Sequence, residues 1–81
     1  MEKDNLTVLK YAVEQRLRFI DFLFHQYGHV NRSAVVDYFG ISVPQATKDF
    51  KDYQKIAPDN IRYSNTEKVY LRNPEFKRVW A

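Results

Sequence analysis

The chain has 81 residues, with 13 Lys and Arg against 10 Asp and Glu for a net charge of +3, and it contains six Tyr, six Phe, one Trp and no cysteine. That is one small domain burying about 60–65% of its unfolded surface, with little room for a deep enzyme cleft, and disulfides, thiolate metal sites and cysteine nucleophiles are excluded. Apolar runs reach only three residues, as in Phe22-Leu23-Phe24, so no segment can span a bilayer, and Met1-Glu2-Lys3-Asp4-Asn5 is not a signal-peptide start. The expected address is therefore the cytoplasm, associated with the nucleoid if the mild positive charge serves a polyanion.

The first half has helical period. Leu6, Leu9, Val13, Leu17, Ile20, Leu23, Phe24 and Tyr27 step by three or four and share a stripe. This predicts a helix from about residue 5 to 27, or two with a break near residue 15. Glu2 and Asp4 suit its dipole, and Gly28 is expected to stop it in a left-handed conformation. Tyr11, Phe19 and Phe22 lie off the stripe, either as a broad buried face or as a partner surface. A second helix runs from Arg32 to Phe39, capped by Asn31 and ended by Gly40, with Val35, Val36 and Phe39 as its apolar face. Ser42 then caps a third helix, Val43 to Ile56, with Pro44 in its first turn. Ala46, Phe50, Tyr53 and Ala57 are its inward residues, and Pro58-Asp59-Asn60 ends it.

The period then changes to two. Ile61–Ser64 and Lys68–Arg72 alternate around a polar turn, Asn65-Thr66-Glu67, which predicts a β-hairpin. Alternation alone leaves open whether Tyr70, or Val69 and Leu71, faces the core. Asn73-Pro74 breaks the second strand, and Glu75 to Trp80 is expected to form a last helical turn with Phe76, Val79 and Trp80 packing back. Helix, short helix, tight glycine-containing turn, helix and hairpin is the winged helix-turn-helix arrangement: mainly α, a three-helix core plus a wing, with the whole chain read as one domain.

In that arrangement the third helix offers its outer face to a DNA major groove. With Ala46, Phe50 and Tyr53 inward, about 100° per residue points Pro44, Gln45, Lys48, Lys51 and Lys55 outward. Gln45 and Lys48, near the N-terminal end, have the chemistry to read adenine and guanine edges. Ser42 and Thr47 offer hydroxyls to phosphates, and Lys51 suits the backbone. Arg32 starts the second helix, and Arg62 and Lys68 lie on the wing. The residues expected at DNA are thus Arg32, Ser42, Val43, Pro44, Gln45, Thr47, Lys48, Lys51, Arg62 and Lys68. The competing reading is a solvated lysine face partly cancelled by Asp49 and Asp52.

The stretch from Val30-Asn31-Arg32-Ser33-Ala34 through Gly40-Ile41-Ser42 to Phe50 resembles the helix-turn-helix of DeoR-like bacterial repressors. The run Phe39-Gly40-Ile41-Ser42-Val43-Pro44-Gln45-Ala46, with Tyr53, Ala57-Pro58, Asn60-Ile61-Arg62-Tyr63, Lys68 and Tyr70 after it, is similar to the N-terminal domain of WYL-domain regulators of the BrxR/CapW type, which control phage-defence loci. The similarity covers roughly residues 15 to 80. It implies a dimeric transcriptional repressor that binds an inverted-repeat operator in double-stranded DNA, with Ser42, Pro44, Gln45 and Lys48 at the DNA surface. Those regulators continue into a WYL sensor section and a C-terminal dimerisation section, for which 81 residues leave no room. The chain is then either a DNA-binding fragment or a stand-alone short protein, and its homodimer is expected to be weak without a C-terminal section.

Other chemistries find less support. Asp21, His25 and His29 are spaced four and four, as zinc ligands on one helix face would be, but Gly28 is expected to end the helix before His29, and no fourth ligand is evident. Asp21 and His25 are instead expected as an exposed helix pair, with His29 in a loop. There is no nucleophile elbow or phosphate loop, so no enzyme activity, cofactor or small-molecule substrate is expected. The rival to DNA binding is a winged-helix protein-interaction module using Tyr11, Phe19 and Trp80.

Overall fold

The computed structural model describes the backbone of residues 2–80 and the side chains of residues 10–80. Its elements in order are α1 (Glu2–Gln26), β1 (His29–Val30), α2 (Arg32–Phe39), α3 (Val43–Ile56), β2 (Ile61–Ser64) and β3 (Val69–Arg72). Three helices pack around one core and a small antiparallel sheet, of strand order β1-β3-β2, closes its side. This is the winged helix-turn-helix arrangement.

Helix α1 is continuous, with no break near residue 15, and it starts before the expected residue 5. Leu17, Ile20 and Phe24 form its buried stripe, with Val13 and Leu23 packed beside them. The side chains of Leu6 and Leu9 lie outside the described residues. Tyr27 does not join the stripe: the helix ends at Gln26, and Tyr27 is 58% exposed. Nor is the stop a left-handed Gly28, because among the described residues only Gly40 (φ 66°) and Lys68 (φ 59°) have positive φ. The end of α1 is held from the sheet. Arg72 Nη1 donates to the carbonyls of Phe24 (3.0 Å) and His25 (3.2 Å), and the Arg72 N–H donates to the Gly28 carbonyl (2.9 Å). A cation at the carbonyl end of a helix satisfies orphan acceptors and opposes the dipole.

Local capping sets the bounds of α2 and α3. The Asn31 side chain accepts from the Ala34 N–H, and Gly40, in the left-handed conformation, donates its N–H to the Val36 carbonyl. Ser42 Oγ accepts from the Gln45 N–H, and Pro44 sits in the first turn, where a missing N–H costs nothing. Val35 anchors α2, while Ala46, Phe50 and Tyr53 anchor α3.

The hairpin turn covers residues 65–68, one more than expected, since Lys68 takes the left-handed conformation and the strand begins at Val69. Tyr70 is the residue that faces the core. It stacks on Phe50 at 4.2 Å with the rings 8° from parallel, and Phe50 meets Phe24 edge-on at 6.2 Å. His29, expected in a loop, belongs to β1, where it pairs with Leu71 while Val30 pairs with Tyr70.

The expected Asp21–His25 surface pair is not formed. Asp21 is fully buried, and its carboxylate collects the Tyr53 hydroxyl (2.6 Å), the backbone N–H groups of Val79 and Trp80 (3.1 Å each) and Arg78 Nε (3.3 Å). Asn60 completes the network. Its Nδ2 donates to Tyr53 Oη (3.0 Å) and to the Lys77 carbonyl (2.7 Å), and its Oδ1 accepts from the Lys77 N–H (3.0 Å). Residues 76–80 form an irregular strap and not the expected helical turn: the Lys77 N–H goes to Asn60 Oδ1 and the Val79 and Trp80 N–H groups go to Asp21, while the Phe76 N–H closes a turn onto the Asn73 carbonyl. Phe76 and Trp80 pack on the core, but Val79 is 37% exposed. Arg18 lies over the Trp80 ring at 5.6 Å from its centroid.

Two expectations concern this core. Phe50→Ala removes the ring shared by Phe24 and Tyr70, and should lower unfolding free energy by about 3–5 kcal/mol, read from urea denaturation. The second concerns alkaline pH. Burial, with the Asp21 carboxylate as hydrogen-bond partner, pushes the Tyr53 hydroxyl well above its ordinary value. An unfolded tyrosine ionises near pH 10 while the folded one stays neutral, so this stabilisation is complete below about pH 10 and is lost as pH rises toward the folded value. The wild type should lose stability above pH 10 more steeply than Tyr53→Phe, measured by thermal denaturation across that range.

Candidate nucleic-acid interface

Helix α3 carries two chemistries on two faces. Ala46, Phe50 and Tyr53 are fully buried, and Val43, Pro44, Lys48, Lys51 and Lys55 are exposed. Three lysines thus stand on the outer side of a helix whose inner side is fixed in the core. Lys48 Nζ pairs with Asp52 at 2.9 Å, an exposed contact four residues apart that contributes only about 0.3–0.5 kcal/mol and is easily exchanged for another anion.

Gln45 departs from the expected outward position. It is half-buried, and its Nε2 donates to Asp49 Oδ1 at 3.0 Å. Asp49 in turn does not cancel the lysine face: it is fully buried, and Arg16 of α1 holds its carboxylate through Nε (2.6 Å) and Nη2 (3.3 Å). Sequence reasoning missed the Arg16–Asp49–Gln45 chain. A signal for it existed, since Asp49 lies about 40° from Tyr53 and about 60° from Ala46 around the helix, at the edge of the apolar stripe.

The hydroxyls are already engaged. Ser42 Oγ caps α3 by accepting from the Gln45 N–H at 3.2 Å. Thr47 Oγ1 donates to the Val43 carbonyl (3.1 Å) and accepts from Arg32 Nη1 (3.0 Å). The Arg32 guanidinium is thereby tethered between α2 and α3, with its remaining N–H groups available.

Arg32, Asn31, Ser33 and Val36 of the α2 start, Val43 of the α3 start and Lys68 of the wing tip line one shallow groove of about 330 Å³. Two helix N-termini, an arginine and a lysine therefore converge there, an arrangement of donors that suits phosphate oxygens. Lys68 belongs to this group. Arg62 does not: it sits near the base of the hairpin, paired in register with Leu71, and its guanidinium is hydrogen-bonded to the Asn73 side chain. Arg32 also bears on Tyr70, whose hydroxyl is raised above its ordinary value by burial, an effect that the guanidinium opposes.

The possible ligand set of Asp21, His25 and His29 is not assembled. The Asp21 carboxylate is occupied internally, the two histidines are exposed, and among the described residues no group of three His, Cys, Asp or Glu is arranged to hold a metal ion. No described helix is long and apolar enough to cross a membrane.

An exposed cationic helix, braced by a short capped helix and flanked by a cationic wing tip, defines a winged helix-turn-helix of the regulator class. Within that class the match is specific: the model of the BrxR transcriptional regulator winged helix-turn-helix domain fits residues 12–81, and the chain belongs to that family. It is 44% identical over 71 residues to the DNA-binding transcriptional repressor CapW of Escherichia coli (strain KTE188), an alignment covering 88% of this chain and 24% of the relative. CapW of Pseudomonas aeruginosa is 42% identical over 71 residues, again 88% of this chain and 24% of the relative. CapW of Stenotrophomonas maltophilia is 38% identical over 79 residues, 98% of this chain and 26% of the relative. The chain spans about a quarter of the length of these curated relatives.

Proposed function

We propose that this chain reads double-stranded DNA for a bacterial transcriptional repressor, with α3 in the major groove and the operon it controls of the phage-defence type. The observation that carries this reading is the lysine-bearing face of α3 standing beside the Arg32–Lys68 groove. The relatives named as DNA-binding repressors support it. Gln45 and Lys48 meet base edges. Ser42, Val43 and Pro44 lie against the strand at the start of α3, and Arg32, Thr47, Lys51 and Lys68 hold phosphates. Arg62 reaches the backbone on releasing Asn73. The protein acts in the cytoplasm without catalysing a reaction.

One such module buries only about 600–1,000 Å² on DNA, so a single copy holds weakly. Two copies related by a two-fold axis on an inverted repeat provide useful specificity. The deciding experiment is selection from a pool of random duplex DNA at low and moderate salt, followed by sequencing. Enrichment of an inverted repeat supports the reading. Absence of binding at any salt overturns it in favour of protein docking, for which the exposed Tyr11, Phe22 and Tyr38 are the available surface.

Two substitutions separate reading from holding. Gln45→Ala should cost about 1–3 kcal/mol on the selected site and relax preference at one base position, measured by competition binding. Lys51→Ala should weaken binding to all sequences alike and lower the slope of log affinity against log salt by about one. An unchanged slope would remove Lys51 from the phosphate contacts.

A further inference from the structure

We infer that Asp49 sets the polarity with which Gln45 meets a base, and that Arg16 holds Asp49 in place for that purpose; this rests on the DNA-reading proposal above. A glutamine carboxamide is nearly symmetric in shape but opposite in chemistry at its two ends, an acceptor oxygen and a donor NH₂. An unrestrained glutamine on a surface turns over and offers either order of donor and acceptor. Gln45 is restrained. Its Nε2 donates to Asp49 Oδ1 at 3.0 Å, and an ionised carboxylate only accepts, so the overturned amide would set Oε1 against a like partial charge.

Asp49 cannot move to relieve this. It is fully buried, and the Arg16 guanidinium grips both oxygens, Nε at 2.6 Å and Nη2 at 3.3 Å, from a side chain that is itself only 12% exposed. A charge-assisted, two-point grip of this kind fixes orientation as well as position. With one N–H given to Asp49, Gln45 retains Oε1 and one N–H in a fixed order. That is the pairing an adenine edge offers through its N6 donor and N7 acceptor. Neither Asp49 nor Arg16 needs to touch DNA for this. They are positioning residues, and their effect is on which base is preferred.

The test uses the intact protein and the duplex selected from the random pool, with all four bases placed in turn at the position that Gln45→Ala relaxes. Asp49→Asn keeps the size of the side chain but can present a donor toward Gln45. Its base preference should fall at that same position by roughly tenfold, with the salt slope unchanged. In the Gln45→Ala background the same change should have no further effect on preference. Preference retained in Asp49→Asn, or lost equally with and without Gln45, overturns the positioning role. If Gln45→Ala itself leaves every base preference intact, the base-reading assignment fails first and this inference falls with it. Should Asp49→Asn not fold, Arg16→Lys keeps a cation beside Asp49 while releasing the two-point grip. It should then show a smaller loss at the same position, and an unchanged preference there overturns the proposal.

Discussion

A carboxylate taken out of water must be met by donors, and Asp21 is the place where that requirement organises this domain. The residues that meet it come from two separate parts of the chain: Tyr53 from α3, and the 78–80 segment through the Arg78 guanidinium and the backbone N–H groups of Val79 and Trp80. Asn60 extends the network by bonding both Tyr53 and Lys77. No local preference lays residues 77–80 along α1 in this way. They are held because the Asp21 carboxylate takes the N–H groups of Val79 and Trp80 and the Asn60 amide takes that of Lys77. Such a site adds little stability compared with a well-packed apolar one, but an incorrect arrangement would leave the charge unpaired at a cost of about 3–5 kcal/mol. Its effect is to select one arrangement of α1, α3 and the strap.

The same rule recurs at Asp49, one turn before Tyr53, with Arg16 as the cation. Helix α1 therefore grips α3 at two levels through acids of opposite origin: its own Asp21 reaching α3, and the Asp49 of α3 reaching back to Arg16. The aromatic rings of Phe24, Phe50, Tyr53 and Tyr70 fill the space between these two polar ties. The face of α3 proposed to meet DNA is thus presented by a helix that has little freedom to roll or slide.

Much of this was legible in the sequence because it is local. Asn31, Gly40, Ser42 and Pro44 each act within one helical turn, and they fix α2 and α3 at the residues where the structure has them. What escaped was non-local. A two-residue strand has no period to detect, so β1 emerges only once β3 is there to pair with it. Gly28 looked like a helix stop, yet the stop comes from Arg72, far along the chain. The two buried acids were readable in principle, since Asp21 lies about 40° from Leu17 at the edge of its helix's apolar stripe, as Asp49 lies about 40° from Tyr53. On the candidate interface, the spacing of Lys48, Lys51 and Lys55 gave their common face, whereas the inward turn of Gln45 and the separation of Arg62 from Lys68 depended on contacts across the fold.

The wing tip shows how backbone and charge can pull against each other. Lys68 adopts a left-handed backbone, which for a residue with a Cβ costs about 1–2 kcal/mol and which glycine takes freely. Glycine at position 68 would relax the turn, and it would also strip the groove beside Arg32 of its second cation. The two demands pull apart: glycine and asparagine, which tolerate this conformation well, would not supply that cation. A hairpin shaped for folding alone would have taken one of them. This one carries a small, permanent tension at the point where it approaches the helices, in a turn closed by the Lys68 N–H bond to the Ser64 carbonyl and the Glu67 N–H bond to Ser64 Oγ.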